Sequence, residues 1–196
     1  MADHPESASQ TAGPYVHIGC TPNFAGVTEL YAEDLGARMI TGDATGQAIT
    51  ITGRIFDGAG APLGDALVEA WQADAAGRFA GQSGADPAFA GFGRCACDAE
   101  TGEFRFETVK PGAVAGPEDA PQAPHVTLWI VARGINLGLH TRLYFADETQ
   151  ANAADPLLSQ LPPDRAATLL AQPRGAGAYH LNIHLQGPRE TVFLAV

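Results

Sequence analysis

The amino-acid sequence predicts an all-β protein, a β-sandwich with long loops and one or two short helices. Stretches that alternate apolar and polar residues, the pattern of half-buried strands, recur from residue 48 to the end of the chain. The 23 glycines and 14 prolines suit a protein with many turns, and a single stretch, residues 149–172, has helical character. With 196 residues, the chain is long enough for one domain with a sizeable core.

Composition divides the chain into three parts. Residues 1–8 are polar, and we expect them to be flexible. Residues 9–47 are rich in glycine and lack a strand pattern, which predicts an N-terminal arm and an irregular segment that are ordered only if something holds them. Residues 48–196 form the predicted sandwich domain.

The first strands are predicted from alternation and turn residues. Residues 48–56 (AITITGRIF) alternate isoleucine with threonine, and the Asp57-Gly58 pair after them predicts a hairpin turn. Residues 66–73 (ALVEAWQA) predict a second strand. Residues 74–93 form a glycine-rich loop, and long loops on β scaffolds are often functional or interfacial.

The middle of the chain contains its most apolar strand. A predicted hairpin joins residues 94–98 (RCACD) to residues 102–109 (GEFRFETV). A loop with three prolines follows, and then residues 126–132 (VTLWIVA), which predict a buried strand. His125 and Arg133 stand at the two ends of that strand, where we expect chemistry. A hydrogen-bonded structural histidine and a solvated arginine are the alternative interpretations.

The last part of the chain adds strands and one helix. Residues 139–147 (LHTRLYFAD) and 178–187 (AYHLNIHLQG) alternate as strands do. Between them, Asp164 is the expected N-cap of a short helix. Residues 191–196 (TVFLAV) close the chain.

Charge and cysteine content narrow the function classes and the location. The net charge of −11 argues against nucleic acid or an anionic membrane surface as a partner. No apolar run approaches the roughly 20 residues of a membrane span. The first residues lack the features of a signal peptide. Three cysteines, an odd number, predict no disulfide framework and a reducing, cytoplasmic location.

The histidines and cysteines are weak metal signals. His180 and His184 share a face of one predicted strand, but they lie about 13 Å apart along it, too far to bind one ion. Cys95 and Cys97 also share a face, and without a second pair they are predicted to be buried or half-buried thiols. The sequence contains no nucleophile motif and no glycine-rich phosphate loop.

Four segments resemble the intradiol ring-cleavage dioxygenase family. They are DGAGAPLGDALVEAWQADAAGRF (57–79), FGRCACDAETGEFRFETVKPG (92–112), APHVTLWIVARGINLGLHTRLYFADE (123–148) and AYHLNIHLQGPRETVF (178–193). The similarity extends from about Ser9 to the end of the chain. It implies the β-sandwich of that family. It also implies ring opening of a dihydroxylated aromatic compound by O2 with the help of Fe(III).

The same resemblance implies that this chain binds no metal. The family holds Fe(III) with two tyrosines and two histidines, and an arginine stands three residues before the first histidine. At the tyrosine positions this chain has Phe79, after Gly-Arg, and Val114, after Lys-Pro-Gly-Ala. His125 keeps the first histidine position, whereas Thr127 holds the second and Gln122 the arginine position. The centre is therefore expected to be vestigial.

A working site is implied on a related β chain that binds the Fe(III), with this chain forming one wall of the pocket for a small aromatic acid. The substrate-facing positions of the family fall on Thr11, Gly13, Pro14, Tyr15 and Arg133. Arg133 is the expected partner of the substrate's carboxylate. The resemblance also implies that residues 9–47 pack on the partner chain in a hetero-oligomer.

Two other functions remain open from the sequence. One is a non-catalytic β-sandwich binding module that kept the family's core and lost its chemistry. The other is a self-sufficient metalloenzyme built on its own histidines. A neighbouring reading frame that encodes an intact chain with two tyrosines and two histidines would separate the subunit from the binding module.

Overall fold

The computed structural model describes residues 10–116, 120–136 and 138–195. The segment predicted to be flexible, residues 1–8, lies outside the described residues. Strands dominate the described part. They are β1 Ala48–Phe56, β2 Leu67–Trp71, β3 Phe92–Ala96, β4 Glu103–Val109, β5 Val114–Ala115, β6 Pro121–Gln122, β7 His125–Val131, β8 Leu139–Phe145, β9 Leu170–Pro173, β10 Ala178–His180 and β11 Ile183–His184. The helical elements are α1 Tyr15–Cys20, α2 Thr149–Ala154 and α3 Pro163–Ala166, with 3-10 turns at Leu158–Gln160 and Ala167–Leu169.

The strands form two layers joined at one strand. In the first layer, β1 pairs antiparallel with β4 and parallel with β10 and β11. In the second layer, β2 pairs antiparallel with β3 and β7, and β7 pairs antiparallel with β8. Strand β9 pairs with both β10 and β8, so it connects the two layers. The short strands β5 and β6 form a separate small hairpin.

The hydrophobic core lies between the two layers. Ile49, Ile51 and Ile55 of β1 are buried, whereas the threonines between them are half-buried, as the alternation predicts. These isoleucines pack in one cluster with apolar residues of β2, β4, β7 and β8, including Phe104 and Leu128. The predicted all-β sandwich is therefore confirmed.

Both predicted hairpins are wrong. The chain turns at both predicted places, but the strands before and after each turn do not pair with each other. The chain reverses after Asp57, where the Asp57 N–H donates to Ala61 O at 2.9 Å, but β1 pairs with β4 rather than with β2. The turn from Asp98 closes through a Gly102 N–H to Asp98 O bond of 2.8 Å, yet it carries the chain from β3 in one layer to β4 in the other. Turn residues indicate where the chain reverses; burial of the apolar faces decides which strands pair.

The predicted strand over residues 178–187 is interrupted. It forms the short strands β10 and β11, both parallel to β1, with a break at Leu181 and Asn182. At the break, Leu181 O approaches Gly53 of β1 so closely that a Cβ on Gly53 would lie 2.0 Å from that oxygen. A glycine in β1 thus permits the close backbone contact that divides the strand. Leu181 and Ile183 are buried, as the alternation predicts.

The helical elements also differ from the prediction. Helix α3 begins at Pro163, so Asp164 lies in its first turn and is not its N-cap. The helix ends at Ala166, and residues 170–173 form β9. There, pairing with β10 and β8 overrides the helical preference of the sequence. In the arm, α1 forms where the sequence predicts no regular structure, directly after Pro14.

The loop over residues 74–93 is ordered from within. The carboxylate of Asp74 is buried and accepts hydrogen bonds from the backbone N–H groups of Ala76, Arg78 and Asp86, each at 2.9 Å. These three bonds hold the start of the loop and Asp86, in its second half, against one charged group.

No helix in the described ranges is long and apolar enough to span a bilayer.

Candidate functional site

One face of the second layer carries two of the residues that the resemblance assigns to metal positions, His125 and Thr127. Across β2, β7 and β8, Trp71, Thr127 and Arg142 are direct neighbours, and the next pair on the same face is His125 with Tyr144. These side chains point away from the core of the sandwich, because Val126 and Leu128 point into it.

The other two metal positions border the same face. The ring of Phe79 stacks on Trp71 with a centroid distance of 6.2 Å and an interplanar angle of 4°. Val114 is buried in β5 and pairs with Gln122 of β6. We call the residues Phe79, Val114, His125 and Thr127 the degenerate centre.

A hydrogen-bond network runs beside the degenerate centre. Arg142 Nη1 donates to Gln122 Oε1 at 2.7 Å and to the hydroxyl of Tyr144 at 3.2 Å. That hydroxyl donates to Asp155 Oδ1 at 3.2 Å. Asp155 is fully buried and also accepts from the backbone N–H groups of Ala123, Leu157 and Leu158, at 2.9, 2.9 and 3.0 Å.

His125 and Tyr144 are held in their neutral forms. Burial, with a smaller contribution from the Arg142 charge, lowers the pKa of His125 to about 4. The neutral ring makes a 2.7 Å hydrogen bond from Nδ1 to Ala123 O. Burial raises the pKa of Tyr144 to about 12, so its hydroxyl keeps the proton that it donates to Asp155.

A second candidate site lies where the arm meets the end of β7. Thr11 pairs with Asn136, and its hydroxyl donates to Ala132 O at 3.2 Å while accepting from the Gly134 N–H at 2.8 Å. These bonds hold the arm at the end of the strand. Because the single O–H of Thr11 is already donated, its bonds support positioning of Arg133 rather than direct contact with a carboxylate.

The arm and the strand end enclose a cavity of about 310 Å³. Among the predicted site residues, Gly13, Pro14 and Arg133 line it. The side chain of Tyr15 is 79% exposed at the start of α1, next to the cavity lining. The structure thus brings the arm positions and Arg133 together from sequence positions more than a hundred residues apart.

Two residues that the sequence analysis missed complete this cavity. Asp65 Oδ2 lies 3.3 Å from Arg133 Nε, and the side chain of Arg133 remains 82% exposed. His17 Nε2 lies 3.1 Å from Asp65 O, and its Nδ1 lies 3.2 Å from Thr21 Oγ1. Neither residue stands at a position to which the resemblance gives a role, and only the fold brings them to Arg133. The exposed guanidinium can bind a carboxylate through two parallel hydrogen bonds.

The remaining histidine and cysteine candidates have local roles. His180 Nδ1 lies 3.0 Å from Thr52 Oγ1, and His184 stacks on Phe56 with the ring centroids 5.0 Å apart. Cys97 is buried and Cys95 is half-buried, as predicted, and burial raises the pKa of Cys95 to about 12. A thiol with so high a pKa is a poor nucleophile and metal ligand at neutral pH.

Comparisons with known proteins agree with this geometry. A family model described as Dioxygenase matches residues 20–187. The protocatechuate 3,4-dioxygenase alpha chain of Pseudomonas putida is 44% identical over 193 residues, which are 96% of each chain. The chain belongs to the intradiol ring-cleavage dioxygenase family.

A beta chain and a solved structure are also similar to this chain. The protocatechuate 3,4-dioxygenase beta chain of Burkholderia cepacia is 33% identical over 171 residues, 80% of this chain and 69% of its own length. A solved structure, the dioxygenase domain of a carbohydrate-binding fusion protein from Streptomyces sp. SirexAA-E, matches with a TM-score of 0.59 at 27% identity. The match covers 80% of this chain and 88% of that one.

The degenerate centre does not fit the iron on which intradiol dioxygenases depend. Phe79 and Val114 have no donor atom, and Thr127 offers a neutral hydroxyl. Fe(III) needs anionic oxygen donors. His125, the one histidine left at the centre, is a neutral nitrogen donor and cannot replace them. Within residues 10–116, 120–136 and 138–195, no three histidine, cysteine or acidic side chains converge as a metal site would require.

The buried His125 predicts how stability depends on pH. Folding lowers its pKa from 6.5 to about 4, so between these values the unfolded chain binds a proton that the folded chain does not. We therefore expect the free energy of unfolding to fall by roughly 2 kcal/mol between pH 7 and pH 5 from this residue. Urea denaturation at the two pH values measures the difference. His125→Gln should reduce it, and an equal fall in both proteins would contradict the assignment.

Proposed function

We propose that this chain is the α subunit of a protocatechuate 3,4-dioxygenase. The enzyme inserts both atoms of O2 into 3,4-dihydroxybenzoate and opens the ring between the hydroxyl-bearing carbons. The product is 3-carboxy-cis,cis-muconate, an intermediate of the β-ketoadipate pathway of aromatic catabolism. The observation that carries the proposal is a centre that lacks both tyrosines and one histidine of the family's metal set, at Phe79, Val114 and Thr127. The chain is otherwise similar over nearly its whole length to a chain of that name.

In this proposal the iron belongs to a partner β chain. The iron held by that chain would supply the activation of the dihydroxylated ring toward O2. The present chain supplies the wall that recognises the acid group, with Arg133 as the cation. Gly13 and Pro14 shape the cavity, and Thr11 fixes the strand end that carries Arg133. Tyr15 presents its hydroxyl from the exposed start of α1.

The apolar surface of the arm supports the hetero-oligomer. Among described residues, large exposed hydrophobic side chains concentrate between residues 15 and 35. They are Tyr15, Ile18, Phe24, Val27, Leu30, Tyr31 and Leu35. An exposed apolar concentration of this kind is typical of a protein–protein interface. We therefore propose that residues 9–47 form the contact with the β chain and that residues 48–196 form the sandwich domain.

Reconstitution tests the proposed function. This chain and an intact β chain, purified separately and mixed, should cleave 3,4-dihydroxybenzoate with consumption of O2. This chain alone should show no cleavage. If the mixture neither assembles nor differs in activity from the β chain alone, the binding-module alternative replaces the subunit.

Assembly should protect the arm from proteolysis. In the irregular segment between α1 and β1, residues 36–47 make backbone hydrogen bonds to later parts of the chain. Phe24 and Leu30 are exposed earlier in the segment, so a protease should cut the free chain there. In the assembled complex we expect these cuts to be suppressed, because an obligate interface covers such apolar surface. Mass spectrometry of the fragments at matched protease concentrations measures the effect. Equal cutting in both states would contradict the proposed contact.

A further inference from the structure

We infer that Arg142 replaces the metal as the cation of the degenerate centre, so that a fixed positive charge, and not only the loss of ligands, excludes a metal ion from it. This inference concerns residues of this chain alone and does not depend on the identity of the partner.

The position of Arg142 supports the inference first. It is the direct neighbour of Thr127 across β7 and β8. Its Nη1 donates to Gln122, the residue that pairs with Val114. The same nitrogen donates to Tyr144, whose ring lies 5.5 Å from that of His125. The guanidinium is thus bonded to neighbours of two of the four metal positions, and Arg142 is itself the cross-strand neighbour of a third.

The fourth position is connected through the same row of strands. Phe79 stacks on Trp71, and Trp71 is the neighbour of Thr127 on the side opposite Arg142. In this row of strands, Trp71 with the stacked Phe79 therefore lies on one side of Thr127 and Arg142 lies on the other.

The charge balance around Arg142 is the second support. A guanidinium stays charged at every accessible pH. None of the ion pairs among the described residues includes Arg142. Its link to a carboxylate runs through a neutral phenol, because Tyr144 accepts from Arg142 and donates to Asp155. Among the described residues, the positive charge is therefore not neutralised by direct contact with a carboxylate.

This arrangement carries a consequence beyond the missing ligands. Restoring tyrosines at positions 79 and 114 and a histidine at position 127 would complete the donor set beside a fixed like charge. Repulsion between Arg142 and the incoming cation would still weaken metal binding. Loss of the Arg142 charge is then needed for the restored ligands to hold iron.

The test compares three variants of the full-length chain. Each carries Phe79→Tyr, Val114→Tyr and Thr127→His; the second adds Arg142→Gln, and the third adds Arg105→Gln as a matched loss of charge at an exposed position on β4. Fe(III) citrate is the probe, and iron per chain and the visible tyrosinate–iron band are measured after gel filtration. We expect Arg142→Gln to raise the apparent iron affinity at least about tenfold, or about 1.4 kcal/mol. Arg105→Gln should not raise it.

Equal iron binding with and without Arg142 would overturn the inference, whether all variants bind iron or none does. A second pair of variants with fewer substitutions tests the inference if the multiple variants do not fold. Thr127→His alone places two histidines on one face of β7, and Zn(II) affinity is measured with and without Arg142→Gln. The inference predicts at least about tenfold tighter Zn(II) binding without the arginine. An unchanged affinity contradicts it, and circular dichroism confirms that both proteins are folded.

Discussion

Arg133→Ala in the assembled enzyme is expected to lower kcat/KM for 3,4-dihydroxybenzoate by about 10- to 150-fold, with the iron content unchanged. The side chain of Arg133 is 82% exposed and lines the arm cavity, so it is open to a substrate carboxylate although its Nε lies 3.3 Å from Asp65 Oδ2. A charge-assisted hydrogen bond contributes roughly 1.5–3 kcal/mol, which sets this range. The iron ligands belong to the partner chain in the proposed enzyme, so the visible absorption of the Arg133→Ala variant should be unchanged.

Two controls distinguish recognition from a structural role. Catechol has no carboxylate, and its turnover should change little in Arg133→Ala, so the preference between the two substrates should narrow. Arg105→Ala removes another exposed guanidinium, one that pairs with Glu107 outside the proposed contact segment, and should affect neither substrate. If Arg133→Ala slows both substrates equally, Arg133 supports the interface or the strand end instead.

Asp155→Ala should destabilise the fold by about 3–5 kcal/mol. The carboxylate is fully buried and accepts bonds from three backbone N–H groups and from the hydroxyl of Tyr144. Without it, these donors stay buried with no acceptor. The Arg142 charge also loses its link to a carboxylate.

Urea denaturation measures this loss as a lower midpoint at unchanged slope. Asp164→Ala is the matched control, because Asp164 is an exposed carboxylate in the same part of the chain and should change stability little. Equal midpoints for Asp155→Ala and Asp164→Ala would contradict the role assigned to the buried carboxylate.

The strands themselves were predictable from alternation. Residues 48–56 form β1 with the predicted bounds, because isoleucine and threonine alternate through it without a break. The pairing of the strands was not predictable. The turns at Asp57 and Asp98 each join two strands that pair with other strands and not with each other. Local turn chemistry carries no information about which distant apolar face a strand will cover.

In the candidate sites, too, some residues could be predicted from the sequence and others could not. The loss of donors at Phe79, Val114 and Thr127 could be predicted because those positions follow motifs that stand in the sequence. Arg142 escaped notice because it reads as an ordinary outward residue of an alternating strand, and only the register of β7 with β8 places it opposite Thr127. Asp65 was missed for a similar reason, since it lies in a glycine-rich loop far from Arg133 in the chain.

Iron stoichiometry tests the central claim most directly. Metal analysis and visible spectroscopy are carried out on the isolated chain and on its complex with the β chain. The proposal predicts no tyrosinate–iron band and no bound iron in the isolated chain, and one iron for each pair of chains in the complex. A tyrosinate–iron band from the isolated chain, or two irons for each pair, would contradict it.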